Sequence, residues 1–385
     1  MRDVFIRGIS CSQVSRFSQN LAEITSRTAR QALQQAGTTR DDIEFVIFAN
    51  TSGGLLQNQE SIRGQSWLQE LRLGGIPLIN IENACNSGGS AFFTGCELAR
   101  RIDGAVLVVG SEGMNIGNRD RTLDAIESCI PEKERQQLIT ATRDAAPSIF
   151  MHKNRQWTED FIGLGGSLEQ LASVVVKSRD FASHNDIAQF RERVSMDQVL
   201  TSAQVSGPLT RLMCSSFSDG AAACVLSSLQ APEGIQVIAS HLTTGDGSLC
   251  WHDRIRAAGD GAFRIAGVST SEIDIIETHD ATAAEELLAL ETLGFYPKGA
   301  AGEATCAGCT GIGSDFLVNP SGGLISRGHP MGATGIYQIF EIVQQLKGLS
   351  GARQAPSARM GMSINVGGYI SGDAASVSSH ILCRP

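Results

Sequence analysis

No stretch of this 385-residue chain approaches the roughly 20 consecutive apolar residues that a membrane-spanning helix needs. Positive charge is in deficit: 31 Lys and Arg stand against 40 Asp and Glu, a formal charge of -9. Nucleic-acid binding needs clustered cations that displace counterions, so that class is not expected. An anionic ligand would have to meet a local basic patch. A disulfide framework is missing too, because the ten cysteines are scattered at irregular intervals through a long chain, unlike those of a small secreted domain. Most of them read as reduced core thiols. Met1-Arg2-Asp3 runs straight into an expected strand, Val4 to Ile6, without the apolar core of a signal peptide. Together these absences read as a cytoplasmic protein with no membrane and no nucleic-acid partner.

What is present fits a folded α/β protein: 42% hydrophobic and 18% charged residues, with 42 glycines. The length exceeds one ordinary core and suggests two packed halves. Asn20 to Ala36 carries apolar residues at helical spacing and stops at Gly37, a plausible C-cap. Asp41 to Phe48 follows, its continuous apolar end reading as a buried parallel strand. The same unit recurs: a helix ends at Gly267, and Thr270 to Glu277 repeats the acidic turn and buried strand. Each strand is followed by an Asn and then Ser-Gly-Gly, Asn83 with Ser87-Gly88-Gly89 and Asn319 with Ser321-Gly322-Gly323, ahead of an apolar helix. These correspondences read as an internal duplication, with residues 1–230 as one half and 231–385 as the other. The polar stretch from about 115 to 206 reads as an inserted loop domain.

Three segments carry candidate chemistry. In Ile79 to Ala91 a strand breaks into a small-residue turn and a helix running to about Arg100, with Cys85 at the expected helix start. Unpaired N–H groups and the helix dipole there are expected to favour the thiolate. Taken alone, Cys85 also reads as a buried structural thiol, like Cys96, Cys214 and Cys224. Asn319 to Gly335 holds His329 between Gly328 and Pro330, a fixed imidazole able to take a proton from a thiol. His279 stands at the C-terminal end of a buried strand, where ligands of α/β sheets gather. Cys306-Ala307-Gly308-Cys309 is a possible redox pair or half a zinc site, but no second such pair exists, so no metal is expected.

These motifs resemble the thiolase superfamily, above all its sterol-carrier-protein-type and archaeal-type members. Asn83 to Gly88 resembles the nucleophile turn, Asn319 to Gly335 the Gly-His-Pro signature, and His279-Asp280-Ala281-Thr282 the His-Asp motif of that branch. The resemblance implies two duplicated βαβαβαββ halves in a five-layered αβαβα fold, and a homodimer or homotetramer. It implies an acyl-CoA or acyl carrier protein thioester as substrate, with coenzyme A not held as a cofactor, and a small-molecule acceptor. A small OB-fold partner protein is implied by archaeal-type relatives. His329 would deprotonate Cys85, and the acyl-enzyme would pass its group on by ping-pong transfer. His279 and His329 would serve one oxyanion, and the backbone N–H of Cys85 and of a Gly367-Gly368 turn the other. The sequence departs from the family at the second acid/base cysteine: Ala281 stands in the His-Asp motif, and Ser363 to Tyr369 contains no cysteine. Transfer of the acyl group to an amine, hydroxyl or activated ring needs no such group. The alternatives are a Claisen-condensing or thiolytic thiolase and a non-catalytic thioester-binding subunit.

Overall fold

The computed structural model describes residues 2–15, 20–142, 146–230 and 234–385 of the chain. The first half runs β1 (Phe5–Cys11), α1 (Leu21–Ala36), β2 (Ile43–Ala49), β3 (Leu78–Ile81), α2 (Ser87–Ala99) and β4 (Ala105–Gly113). Between β4 and the next strand of the large sheet, β5 (Asp219–Ser227), lie the helices α3 (Arg119–Glu127), α4 (Glu132–Thr142), α5 (Ile149–Gly163) and α6 (Leu168–Ser183), followed by a separate two-stranded ribbon, Gln204–Ser206 with Leu209–Thr210. The second half runs β6 (Ile235–Thr244), α7 (Trp251–Ala266), β7 (Ile275–Glu277), α8 (Ala283–Thr292), β8 (Leu317–Val318), α9 (Thr334–Leu346), β9 (Met360–Ile370) and β10 (Asp373–Cys383). The junction expected after residue 230 abuts residues 231–233, which lie outside the described residues.

These ten strands hydrogen-bond in the order β8-β7-β9-β10-β6-β1-β5-β4-β2-β3. The first half reads 3-2-4-5-1 outward to inward, and the second half repeats that order when its own strands are counted from its first. The sheet topology thus carries the duplication that the acidic turns and Ser-Gly-Gly triplets suggested. Within the sheet the halves pair through Phe5 with Gln236 and Ile6 with Ile235.

Local sequence explains the elements that position the site. The side chain of Asn20 accepts from Glu23 N–H at the start of α1, and Gly37 ends the helix in the left-handed conformation at φ 59°. β2 pairs in parallel with β3 and β4, which accounts for its unbroken apolar end, since helices cover both faces of such a strand. α2 touches β4 and β2 of its own half and β6 and β10 of the other, while α9 touches β9 and β7 and crosses to β1 and β5. Their N-termini approach backbone to backbone: a Cβ at Gly335 would fall 2.4 Å from the N of Gly89, so only glycine permits the contact. The two triplets are not equivalent, however. Ser87-Gly88-Gly89 opens α2 directly, whereas Ser321-Gly322-Gly323 leads into a π-helical turn, Gly323–Arg327, and α9 begins only at Thr334. The intervening residues carry His329. Among the described residues, no helix is long and apolar enough to cross a membrane.

Candidate active site

Cys85 lies in the turn between β3 and α2. Its neighbour Ala84 is held at φ 51°, a left-handed conformation rarely adopted by residues with a side chain. Hydrogen bonds over-determine that turn: Ser87 N–H donates to Ala84 O at 3.0 Å, Thr51 Oγ1 to the same carbonyl at 2.7 Å, and Asn83 N–H to Ser87 Oγ at 2.8 Å. The sequence placed Cys85 at the helix start, but the N-cap is Asn86, so the thiol stands just outside α2. The expected low thiol pKa is also overturned. Burial pushes the Cys85 thiol well above its ordinary value, and the nearby Cys129 and Glu112 push in the same direction. Loss of water around the charged form outweighs the help of the helix end.

His329 is set by its own loop. Gly328 adopts φ 108°, and a Cβ there would meet Val14 Cγ1 at 2.6 Å. Ser218 Oγ accepts from His329 N–H at 2.9 Å. The ring Nδ1 lies 2.7 Å from Thr334 Oγ1, and that hydroxyl donates to Pro330 O at 3.0 Å. With its only proton so used, Thr334 is an acceptor for His329, which places the ring proton on Nδ1 and leaves Nε2 as a base.

His279 follows β7 and takes the opposite tautomer. With its amide oriented to satisfy both ends, Asn86 donates to Asn365 Oδ1 at 3.2 Å and accepts from Ser376 Oγ at 2.8 Å. Asn365 Nδ2 is then the group that donates to His279 Nδ1, at 2.9 Å. The His279 proton therefore resides on Nε2, ready to donate. Burial holds His279 near a pKa of about 3, with a smaller push from Arg327. Burial likewise holds His329 well below the ordinary imidazole value, helped by His279 and Arg327. Both rings are neutral at physiological pH. Asp280, the second residue of that motif, turns away and accepts from Leu324 N–H at 2.8 Å.

The tertiary structure brings the three sequence candidates together. One ligand atom each from Cys85, His279 and His329 lie within 4.8 Å of one another. All three open on a cavity of about 700 Å³. Gly367 and Gly368 line it as well, but they sit inside β9 and not in a turn. Gly368 adopts φ 68°, and a Cβ on Gly367 would fall 2.4 Å from Asn86 N, so this strand presses directly on the Cys85 turn.

Cys306 and Cys309 are exposed free thiols that do not line the cavity. Ala281 does line it. Sequence reasoning missed the walls. Leu123 and Ile126 of α3, and Phe150, Met151, Asn154 and Trp157 of α5, face the cavity. Their spacings of three and four residues put each set on one helix face, a signal present in the sequence. Arg119 and Arg211, both exposed, also line the cavity. Cys129 and Cys214 also open on the cavity, each thiol pushed by burial to about 12. Glu112 was missed too: it accepts from Thr51 N–H at 2.9 Å and Gly332 N–H at 3.0 Å, tying the wall beside Cys85 to the loop of His329.

Comparison with known proteins gives the family. Residues 238–380 match the family model described as Thiolase C-terminal domain-like. The acetyl-CoA acetyltransferase of Methanothermobacter thermautotrophicus is 35% identical over 398 residues, covering 100% of both chains. Sterol carrier protein 2 of Gallus gallus is 30% identical, covering 95% of this chain and 70% of that protein. Among solved structures, the Ltp2-ChsH2(DUF35) aldolase superposes with a TM-score of 0.81 at 17% identity, over 99% of this chain and 97% of that one. The acetyl-CoA acetyltransferase from Syntrophomonas wolfei superposes with a TM-score of 0.75 at 19% identity, over 100% of both. Full-length identity above 30%, with the same fold, makes this chain a member of the thiolase superfamily.

Proposed function

We propose that this chain is an acyltransferase that carries an acyl group as a thioester on Cys85, taking it from a coenzyme A or carrier-protein thioester and passing it to a second substrate. The observation that carries this reading is the pairing of a thiol with two neutral imidazoles in opposite tautomers on one cavity wall. His329 Nε2 takes the thiol proton as sulfur attacks the thioester carbonyl. His279 Nε2–H donates to the oxygen that becomes negative, a contribution of about 3 kcal/mol for one well-placed donor. Because the resting thiol is held protonated by burial, ionisation is coupled to attack and the thiolate is not stored. Collapse expels the coenzyme A thiolate, and a second nucleophile later releases the acyl group. The N–H groups of Cys85 and of Gly367 and Gly368 would hold the second oxyanion. Arg119 and Arg211 would meet the phosphates of the donor.

The trio is also a set that zinc accepts, but ligand atoms of a tetrahedral zinc lie about 3.5 Å apart. We read the wider spread here as acid–base machinery with no resident metal. We further propose a small partner protein, supported by the fold shared with the Ltp2-ChsH2(DUF35) aldolase, and a homodimer or homotetramer, as the resemblance to thiolases implies.

A second reading, thiolysis or Claisen condensation, is favoured by the 35% identity to an acetyl-CoA acetyltransferase and by Cys129, a second thiol on the same cavity. The deciding experiment is intact-mass spectrometry after incubation with a panel of acyl-coenzyme A thioesters. A mass increase lost in Cys85→Ala is expected. No adduct with any donor would overturn the acyltransferase reading.

A further inference from the structure

The adjacent carboxylates of α8 have different surroundings. Glu286 is fully buried and closed off by Lys177 and by Asn319 Nδ2, the latter at 2.7 Å. Glu285 is only 3% exposed, yet it opens on the active-site cavity. Its Oε2 accepts from Trp251 Nε1–H at 3.0 Å, and its Oε1 lies 3.1 Å from His252 Nε2. Trp157 braces both partners, lying tilted against Trp251 at 4.9 Å between ring centroids and meeting the His252 ring edge-on at 5.4 Å. A carboxylate offers about four acceptor directions, so these two contacts from α7 leave acceptor capacity toward the cavity. Asn154, the amide beside it on the wall, is already used, donating to Phe150 O at 3.0 Å and accepting from Thr282 Oγ1 at 2.7 Å. A carboxylate buried in a wall of aromatic rings is costly unless donors meet it. Glu285 and Ala281, four residues apart in the chain, line the same cavity, and Ala281 is where the family resemblance implies an acid/base cysteine.

We propose that Glu285 is a specificity-determining residue that receives a hydrogen-bond-donating group, a hydroxyl or an amine, of the substrate occupying the cavity beside Cys85. This rests on the reading of Cys85 as the acyl carrier. The donor group belongs either to the acyl chain or to the acceptor, and Glu285 recognises the same chemistry in both.

The test measures loading and discharge separately. Loading of Cys85 by hexanoyl-coenzyme A and by its ω-hydroxylated counterpart is followed by intact mass in the native protein, Glu285→Gln and Glu285→Asp. Discharge of the hexanoyl-enzyme by an alcohol or amine is then compared with discharge by coenzyme A. Hydrogen bonds to charged groups typically change such ratios by about 10- to 100-fold. A preference of that size for the hydroxylated donor, reduced in Glu285→Gln, assigns the group to the acyl chain. Equal loading with an alcohol or amine discharge that depends on Glu285 assigns it to the acceptor. Loading that proceeds normally with both ratios unchanged in the variants overturns the role of Glu285 while leaving that of Cys85 intact. Absence of loading with every donor overturns the acyl-carrier reading and this proposal with it.

Discussion

The imidazole rings of His279 and His329 meet edge to face, with centroids 5.1 Å apart and planes at 85°, and their partners hold them in opposite tautomers. Asn365 donates to Nδ1 of the first ring, and Thr334 accepts from Nδ1 of the second. One ring is thereby a proton donor toward the cavity and its neighbour a proton acceptor. Neutral rings can stand this close without the repulsion that two imidazoliums would suffer.

The base role proposed for His329 predicts slow acylation without it. Cys85→Ala should show no adduct, and His329→Ala should load Cys85 about 10²–10⁴-fold more slowly than the native protein. Stopped-flow or quenched intact-mass kinetics measure this, and unchanged loading in a folded His329→Ala would remove the ring from that role.

The tautomer argument makes a pH prediction. In Asn365→Asp the new carboxylate accepts from His279 Nδ1 and stabilises the imidazolium, raising a pKa that burial now holds at about 3. Above the raised value Nε2 carries no proton and the oxyanion donor is lost, a penalty of about 10²–10³ in rate. Loading by the variant should therefore recover on acidification, while the native protein loses none of its His279 donor as pH rises. A flat profile in the variant would show that His279 does not donate.

The missing cysteine at position 281 can be tested by restoring it. The native protein should load Cys85 yet thiolyse acetoacetyl-coenzyme A poorly, and Ala281→Cys, whose side chain would enter the cavity, should raise thiolysis. Brisk native thiolysis abolished in Cys129→Ser would instead give the acid/base role to Cys129.

Thiol reactivity should follow burial. Cys306 and Cys309 are exposed and should be alkylated by iodoacetamide before Cys85, whose raised pKa keeps the thiolate scarce at neutral pH. Alkylation of Cys85 should accelerate as pH rises toward the alkaline range. Peptide mapping that finds Cys85 modified first at neutral pH would restore the low-pKa expectation drawn from the sequence.

Stability should fall on the acid side. Burial holds His279 and His380 at about 3, against an ordinary 6.5. Folded-state values below the unfolded one mean that the unfolded chain binds protons first. The stability these neutral rings allow is therefore complete above pH 6.5 and declines as pH falls toward about 3. Urea midpoints measured across that window should drop less in His380→Asn, a ring that packs on Phe92 and does not line the cavity.

Contiguous signals were legible without coordinates. Asn20 and Gly37 bound α1 as read, and β2 follows its acidic turn, because capping and periodicity are properties of neighbouring residues. The repeated acidic turn was enough to suggest the duplication that the matching strand orders carry. Cys85, His279 and His329 stood out as candidates for the same reason, each lying in a distinctive local run of small residues or at a strand end.

Other properties of the site depend on residues far apart in the chain. Asn365 reaches His279 across 86 positions, and Trp251 reaches Glu285 across 34. Neither pairing leaves a periodic trace, since a hydrogen bond between distant elements is fixed only when the sheet and helices close around it. The ionisation of Cys85 shows the limit most clearly. The local sequence offered a helix end that favours the thiolate, and the folded environment reversed the balance by removing water. A short peptide motif supplies the dipole, but the dielectric around a sulfur atom is set by everything packed against it.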